Sequence, residues 1–246
     1  MKKKILLIIS SLILFVFLIS CGQIQNLFTP DSNTDILTNP YITIINDQTS
    51  LANELETVSQ NISIEETTPQ LFAKKQTTFT LTLIGQIDSP QINGQTLQAT
   101  NIQIKGDYAL VSYNMQGATY LGAVDIIKIA TRKTPELISR ILFNDTDTHS
   151  LTYEGNTIYL AQAKETTDSD PAQIQTLEFK GNKVTFKNNL TKKLSSYAAN
   201  SVYANTDALL ATTGSAGKLY ALNYTTLAII DSVDLDHARW VLEDDN

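Results

Sequence analysis

The chain has 246 residues, with 25 acidic against 18 basic side chains and a formal charge of −7. An acidic surface repels phosphate backbones and anionic head groups, which argues against a nucleic-acid partner and against membrane binding through surface charge. One cysteine, Cys21, and two histidines, His149 and His237, exclude a disulfide framework, a thiolate zinc site and an iron–sulfur cluster.

Residues 1–20 begin with Lys2, Lys3 and Lys4 and continue as an apolar run from Ile5 to Ile19, broken only by Ser10 and Ser11. Charge, then a short apolar stretch, then small residues is the order of a secretory signal. An uncleaved transmembrane anchor would sit at the short limit for a bilayer span. A plain secretory leader would more usually end in an A-x-A-like site. The ending Leu18-Ile19-Ser20-Cys21-Gly22 resembles a bacterial lipobox, where signal peptidase II cuts before the cysteine and the cysteine carries lipid. That resemblance implies a mature chain starting at lipidated Cys21, with no free thiol, facing the periplasm or exterior from a membrane of the cell envelope. Each buried methylene contributes about 0.8 kcal/mol and one acyl chain anchors only marginally, so two or three chains on Cys21 would anchor stably.

Residues 21–40 are rich in Asn, Thr, Asp and Pro without periodicity and read as a flexible tether. Residues 41–76 read as a small strand-and-helix segment. Tyr41 to Ile45 suits a short strand, and Leu51, Leu55, Val58 and Ile62 recur at helical spacing after Ser50, a candidate N-cap. The polar stretch with Thr67-Thr68-Pro69 should end that helix.

Across 77–246 the periodicity becomes two and β-formers dominate. Three runs share one pattern, Ile102–Tyr113, Leu151–Gln162 and Ser201–Thr212: alternating apolar residues, a tight polar turn, then a strand ending in small residues. Gly106-Asp107 and Gly155-Asn156 suit two-residue hairpin turns, with Asn205-Thr206-Asp207 as a longer counterpart. Third strands follow at Gly122–Ala130, Ala172–Phe179 and Gly217–Asn223, then fourth strands at Pro135–Phe143, Lys183–Phe186 and Leu227–Leu235. Gly106, Gly155 and Asn205 lie 49 and 50 residues apart, a period that fits four-stranded blade repeats.

The runs KGDYALVSY, GAVDIIKIATRKTPELISRILF and EGNTIYLAQ resemble LVIVD-type repeats, a bacterial β-propeller repeat of secreted and surface proteins. The resemblance spans about three units and implies a mainly β, partial (about three-bladed) propeller-like domain in an extracytoplasmic setting. It transfers no catalytic residues. Thr80–Asp88 matches the fourth strand of a preceding unit, and His237–Asn246 the first strand of a following one. The expected reading is a propeller truncated at its C-terminus. In the competing reading, 41–75 caps a small assembly and the acidic Glu243-Asp244-Asp245-Asn246 blunts an open edge.

Constellations with chemical potential are sparse. Asp145-Thr146-Asp147-Thr148-His149 and Asp168-Ser169-Asp170 place alternate oxygens on loops but lack the remaining positions of a calcium loop. Asp231, Asp234 and Asp236 suit a solvated strand end. Gly214-Ser215-Ala216-Gly217 is a turn, not a nucleophile elbow. The recurring Tyr108, Tyr113, Tyr120, Tyr153, Tyr159, Tyr203, Tyr220 and Tyr224 suit packing between sheets more than a ligand groove. The sequence therefore predicts no cofactor, no metal site and no catalytic residue, and a lipidation site at Cys21. The expected role is a non-enzymatic binding or scaffold module facing an envelope protein or a glycan. The alternatives are a hydrolase with its site on propeller loops, or the remnant of a longer propeller protein.

Overall fold

The structure, a computed structural model, describes residues 39–65, 78–131, 134–186, 190–214 and 217–242. The leader, Cys21, the tether up to residue 38, Thr67-Thr68-Pro69 and Glu243-Asp244-Asp245-Asn246 lie outside the described residues. Among the described residues no helix is long and apolar enough to cross a membrane.

The fold is mainly β and is built from three antiparallel meanders in chain order. The first joins β6 (Gln98–Lys105), β7 (Tyr108–Asn114), β8 (Gly122–Lys128) and β9 (Glu136–Phe143). The second joins β10 (Thr146–Glu154), β11 (Thr157–Lys164) and β12 (Ala172–Lys180), whose outer edge takes two short strands, β13 (Lys183–Thr185) and β14 (Thr191–Lys193). The third joins β15 (Ala199–Ala204), β16 (Leu209–Thr213), β17 (Lys218–Leu222) and β18 (Ile229–Asp234). The first meander gains a fifth strand, because β1 (Ile42–Ile45) pairs with the free edge of β9. These are separate sheets, and among the described residues they form no closed ring.

Local chemistry explains the turns. Gly106 and Gly155 sit at positive φ, 58° and 59°, where a Cβ would be strained. The third turn has no glycine. There the Asn205 side chain accepts from the amides of Asp207 and Ala208 at 2.8 and 2.7 Å, so an Asx turn replaces the glycine hairpin.

Sheets pack face to face through their innermost strands: β10 lies on β6 and β7, and β15 on β10 and β11. Leu110, Val124 and Ile141 of the first sheet meet Leu151, Leu160 and Leu177 of the second. On the far face of the second sheet, Tyr159 and Ile174 meet Val202, Leu209 and Leu222 of the third. The free face of the first sheet is partly covered by residues 88–97, whose Ile92 and Leu97 pack on Val111, Tyr113 and Ala123. Two short strands, β4 (Gln91–Ile92) and β5 (Gln95–Thr96), shape that cover.

Three sequence expectations are corrected. The helix over 51–62 is absent. Helix α1 spans only Gln48–Leu51, and its N-cap is Asp47, whose carboxylate accepts from the Thr49 and Ser50 amides. Leu55–Glu65 is strand β2, paired with β3 (Thr78–Ile87). A register shift between Thr57 and Gln60 sits within the stretch that holds Leu55, Val58 and Ile62. It breaks the strict alternation that would have marked a strand. Second, Thr80–Asp88 is a strand but joins none of the three sheets, since β3 pairs only with β2. Third, residues 235–242 form no strand. They lie beside β15, with the Asn200 amide donating to the Ala238 carbonyl at 3.0 Å and the Val241 amide to Ser201 Oγ at 3.3 Å.

Candidate functional site

Each innermost strand carries one bulge near its start, opposite the end of the next strand. The residues left unpaired are Thr100, His149 and Asn200. A bulge re-aims its side chain out of the ladder. Here the three equivalent side chains gather polar contacts at the end of the sheets that also carries the loops 115–121 and 165–171. Thr100 Oγ1 donates to the Thr148 carbonyl of the next sheet at 2.9 Å and lies 2.9 Å from Ser112 Oγ. Asn200 makes the corresponding bond to Ala238. Asn114 Nδ2 lies 3.1 Å from His149 Nδ1. An amide nitrogen only donates, so Nδ1 accepts and the imidazole proton sits on Nε2. Nε2 is buried without a hydrogen-bond partner, and burial lowers the pKa of His149, which favours the neutral ring.

Asp147 ties the loop of the first sheet to the second sheet. Its Oδ1 accepts from the Leu121 and Met115 amides at 3.1 and 3.4 Å. Burial pushes its carboxyl up to about 6, against the pull of those amides. A carboxyl whose pKa is higher folded than unfolded takes up a proton on folding between the two values. Its contribution to stability is present below about pH 4 and declines as pH rises through about 6. Asp147→Asn keeps the accepting oxygen and removes the charge. The variant should melt above the parent at pH 8 and with it at pH 4, by thermal unfolding across that range. A melting difference independent of pH would contradict this account.

The two aspartate motifs resolve into separate contacts, and the first is not a loop as the sequence suggested: from Thr146 on it belongs to strand β10, with Asp145 and Asp147 buried. Asp145 accepts from Thr146 Oγ1 at 2.7 Å and pairs with Lys164 at 3.2 Å. Asp147 faces backbone amides and His149 faces Asn114, so the three do not converge. Asp168 pairs with Lys193, which holds its carboxyl below the ordinary range, and Asp234 pairs with Lys218. Among the described residues no group of three or more His, Cys, Asp or Glu could hold a metal ion.

The tyrosines divide by place. Tyr113, Tyr159 and Tyr220 are buried. Tyr108 and Tyr153 meet the edge of Phe179 at centroid distances of 5.0 and 5.6 Å. Tyr224 is exposed, and its carbonyl accepts from Tyr159. Tyr120 donates to Tyr197 at 2.9 Å across the loops of two sheets. That bond, with partial burial, pushes Tyr120 up to about 12.

Beside the Asn200 bulge lies a cavity of 410 Å³ lined by Tyr197, Ala198, Asn200, Gly214, His237 and Arg239. Gly214 fits because a Cβ there would come within 3.3 Å of the Asn200 amide. Arg239 and His237 offer N–H donors, and Tyr197 an exposed aromatic rim. Hydroxyl and carboxylate oxygens match that donor set. A second recess of 380 Å³ is lined by Asp168, Ser169, Asp170, Lys193, Leu194 and Ser195, with the exposed Asp168–Lys193 pair in its wall.

Away from the loops, one buried charge cluster spans β8 and β9. Arg140 holds fully buried Asp125 in a two-pronged pair at 2.8 and 3.0 Å, and reaches Glu54 at 2.6 Å. Burial raises the Asp125 carboxyl while Arg140 and Tyr113 pull it down. Arg140 loses solvation, but Asp125 and then Glu54 keep its pKa above the ordinary value. Sequence reasoning missed this cluster. Its signal was a charge in the middle of each of two otherwise apolar strands, Asp125 in GAVDIIK and Arg140 in ELISRILF, whose other charges, Lys128 and Glu136, stand at strand ends. The bulges left no such signal, because Thr100, His149 and Asn200 share no residue type.

No family model matches the chain, and no curated protein or solved structure is significantly similar to it.

Proposed function

We propose that this chain is a lipid-anchored cell-envelope protein, held to the membrane by acylated Cys21, whose sheets form part of a propeller-like array that binds rather than catalyses. The observation that carries the address is the order of basic, apolar and small residues ending in Leu18-Ile19-Ser20-Cys21-Gly22. Three successive four-stranded meanders, stacked in chain order with bulges at equivalent positions, support the propeller-like and LVIVD-type reading. The cavity at Asn200, with its aromatic rim and N–H donors, suits an envelope glycan or the polar face of an envelope protein.

Replacing Cys21 tests the anchor. With a metabolically incorporated fatty-acid probe, the parent chain should label and sediment with membranes. Cys21→Ser should lose the label and keep an uncleaved leader. Equal labelling of both chains would end the proposal.

A further inference from the structure

The repeat places two half-built sheets at opposite ends of the row. Counting from each bulge gives equivalent positions. On the face toward the following sheet, Leu110 and Tyr159 correspond to Leu210. In the first sheet Leu110, Val124 and Ile141 are fully buried. Their counterparts in the third are Leu210 and Leu219, only half-buried, and Val233, 56% exposed. On the face toward the preceding sheet, Leu151 and Val202 are buried, but their counterpart Ile102 is 60% exposed and its neighbour Ile104 is 66% exposed.

Each uncovered face already holds part of a cover. Against the third sheet, residues 238–241 stand where an innermost strand belongs. Asn200 bonds the Ala238 carbonyl as Thr100 bonds the Thr148 carbonyl. No outer strands accompany that segment among the described residues. Against the first sheet the reverse holds. Residues 51–54 and 88–97 cover it through the Glu54–Arg140 pair and Ile92 and Leu97, while its innermost strand β6 is bare. From that cover runs the hairpin of β2 and β3, paired to no other strand. One face of it is apolar, with Ile62 opposite Leu81, both exposed, and the other polar, with Thr82 bonded to Asn61.

We propose that a second copy of this chain completes the missing sheet. The segment 238–242 of one copy supplies the innermost strand, lying over Ile102 and Ile104 of the other, and the β2–β3 hairpin of that other copy supplies the outer strands. The two parts stand at opposite ends of the row of sheets and no strand among the described residues joins them, while Ile62, Leu81, Trp240 and Leu242 are all exposed, so each part offers what the other end of a second copy lacks. Reciprocal exchange of identical elements closes the pair with two-fold symmetry. The stacking of the joint sheet rests on the propeller-like reading above; the exchange does not depend on the lipid anchor or on any ligand.

The test uses the full chain in its membrane. Leu81→Cys and Leu242→Cys chains carrying different tags are co-expressed and treated with a short bismaleimide. The expected product is a covalent dimer holding both tags, formed poorly when either variant is expressed alone. A chain bearing both substitutions that cross-links only within itself, at monomer mass, would overturn the second copy and leave the propeller-like reading standing. Absence of cross-links, or links only between like positions, would also overturn it. Val233→Asp, at a site exposed in the single chain, should cut the dimer yield about tenfold or more, as an unpaired charge does in an apolar contact, with an unchanged melting temperature. An undiminished yield would overturn the assignment of that face. The parent, with Cys21 alone, is the control. Cross-linking there would count against the lipid anchor and not against the exchange.

Discussion

Truncating Arg140 to alanine is expected to lower the free energy of unfolding by about 3–5 kcal/mol, the usual loss when one partner of a buried ion pair is removed. Asp125 is fully buried and, among the described residues, would keep Tyr113 as its side-chain partner. Against a typical total of about 5–15 kcal/mol, that loss is large. The effect should come from the orphaned charge rather than from lost attraction. Asp125→Leu combined with Arg140→Met should therefore cost less than Arg140→Ala alone. Arg140→Lys should fall between, because an ammonium cannot reproduce the two-pronged grip on Asp125. Glu54 is largely exposed at the rim, and Glu54→Gln should cost about 1 kcal/mol or less. Urea unfolding of the four variants decides the matter. A double variant less stable than the single would sink the explanation.

Phe143→Ala is expected to cost about 3–5 kcal/mol in the same assay, at unchanged m-value. Phe143 is fully buried in β9, opposite Gly122 on one side and Ile42 of β1 on the other. Its ring lies in the core shared by the first two sheets. The site cannot collapse cheaply, because its walls are ladders from two sheets. Gly122 shows how closely they approach, since a Cβ there would lie 2.5 Å from the Thr146 carbonyl and 2.9 Å from the Thr148 amide. Val233→Ala, an exposed truncation on the third sheet, should stay within about 0.5 kcal/mol. A loss below about 1 kcal/mol at Phe143 would mean that the two sheets part more easily than their packing implies.

The sheets were legible where both faces of a strand are constrained. Tyr108–Asn114 and Thr157–Lys164 follow glycine turns whose positive φ only a few residues accept, and the alternation between each bulge and its turn is uninterrupted. Legibility failed where the decisive partner is remote. Leu55, Val58 and Ile62 satisfy helical spacing, yet that stretch is settled by pairing with β3, beyond a gap in the described residues; tertiary pairing overrides a weak local preference. The strand at Ile42–Ile45 was legible within Tyr41–Ile45, but its place was equally hidden, since nothing in it names β9 as its partner. At the candidate site, Asn200, Gly214, His237 and Arg239 converge through a bulge and a returning segment, and neither feature has a spacing rule.

The attachment of β1 sets the order in which the molecule can assemble. Every other ladder among the described residues joins strands that are neighbours or next neighbours along the chain, so each can zip locally. β1 is expected to join last, because Ile42 and its partner Phe143 lie far apart along the chain and local ladders close sooner. Loop-closure entropy grows slowly with length, so this delay costs little stability. It costs time, since distant contacts slow folding far more than local ones. Until β1 arrives, β9 presents an open edge to any passing strand, and the hazard of misassembly is concentrated in that interval.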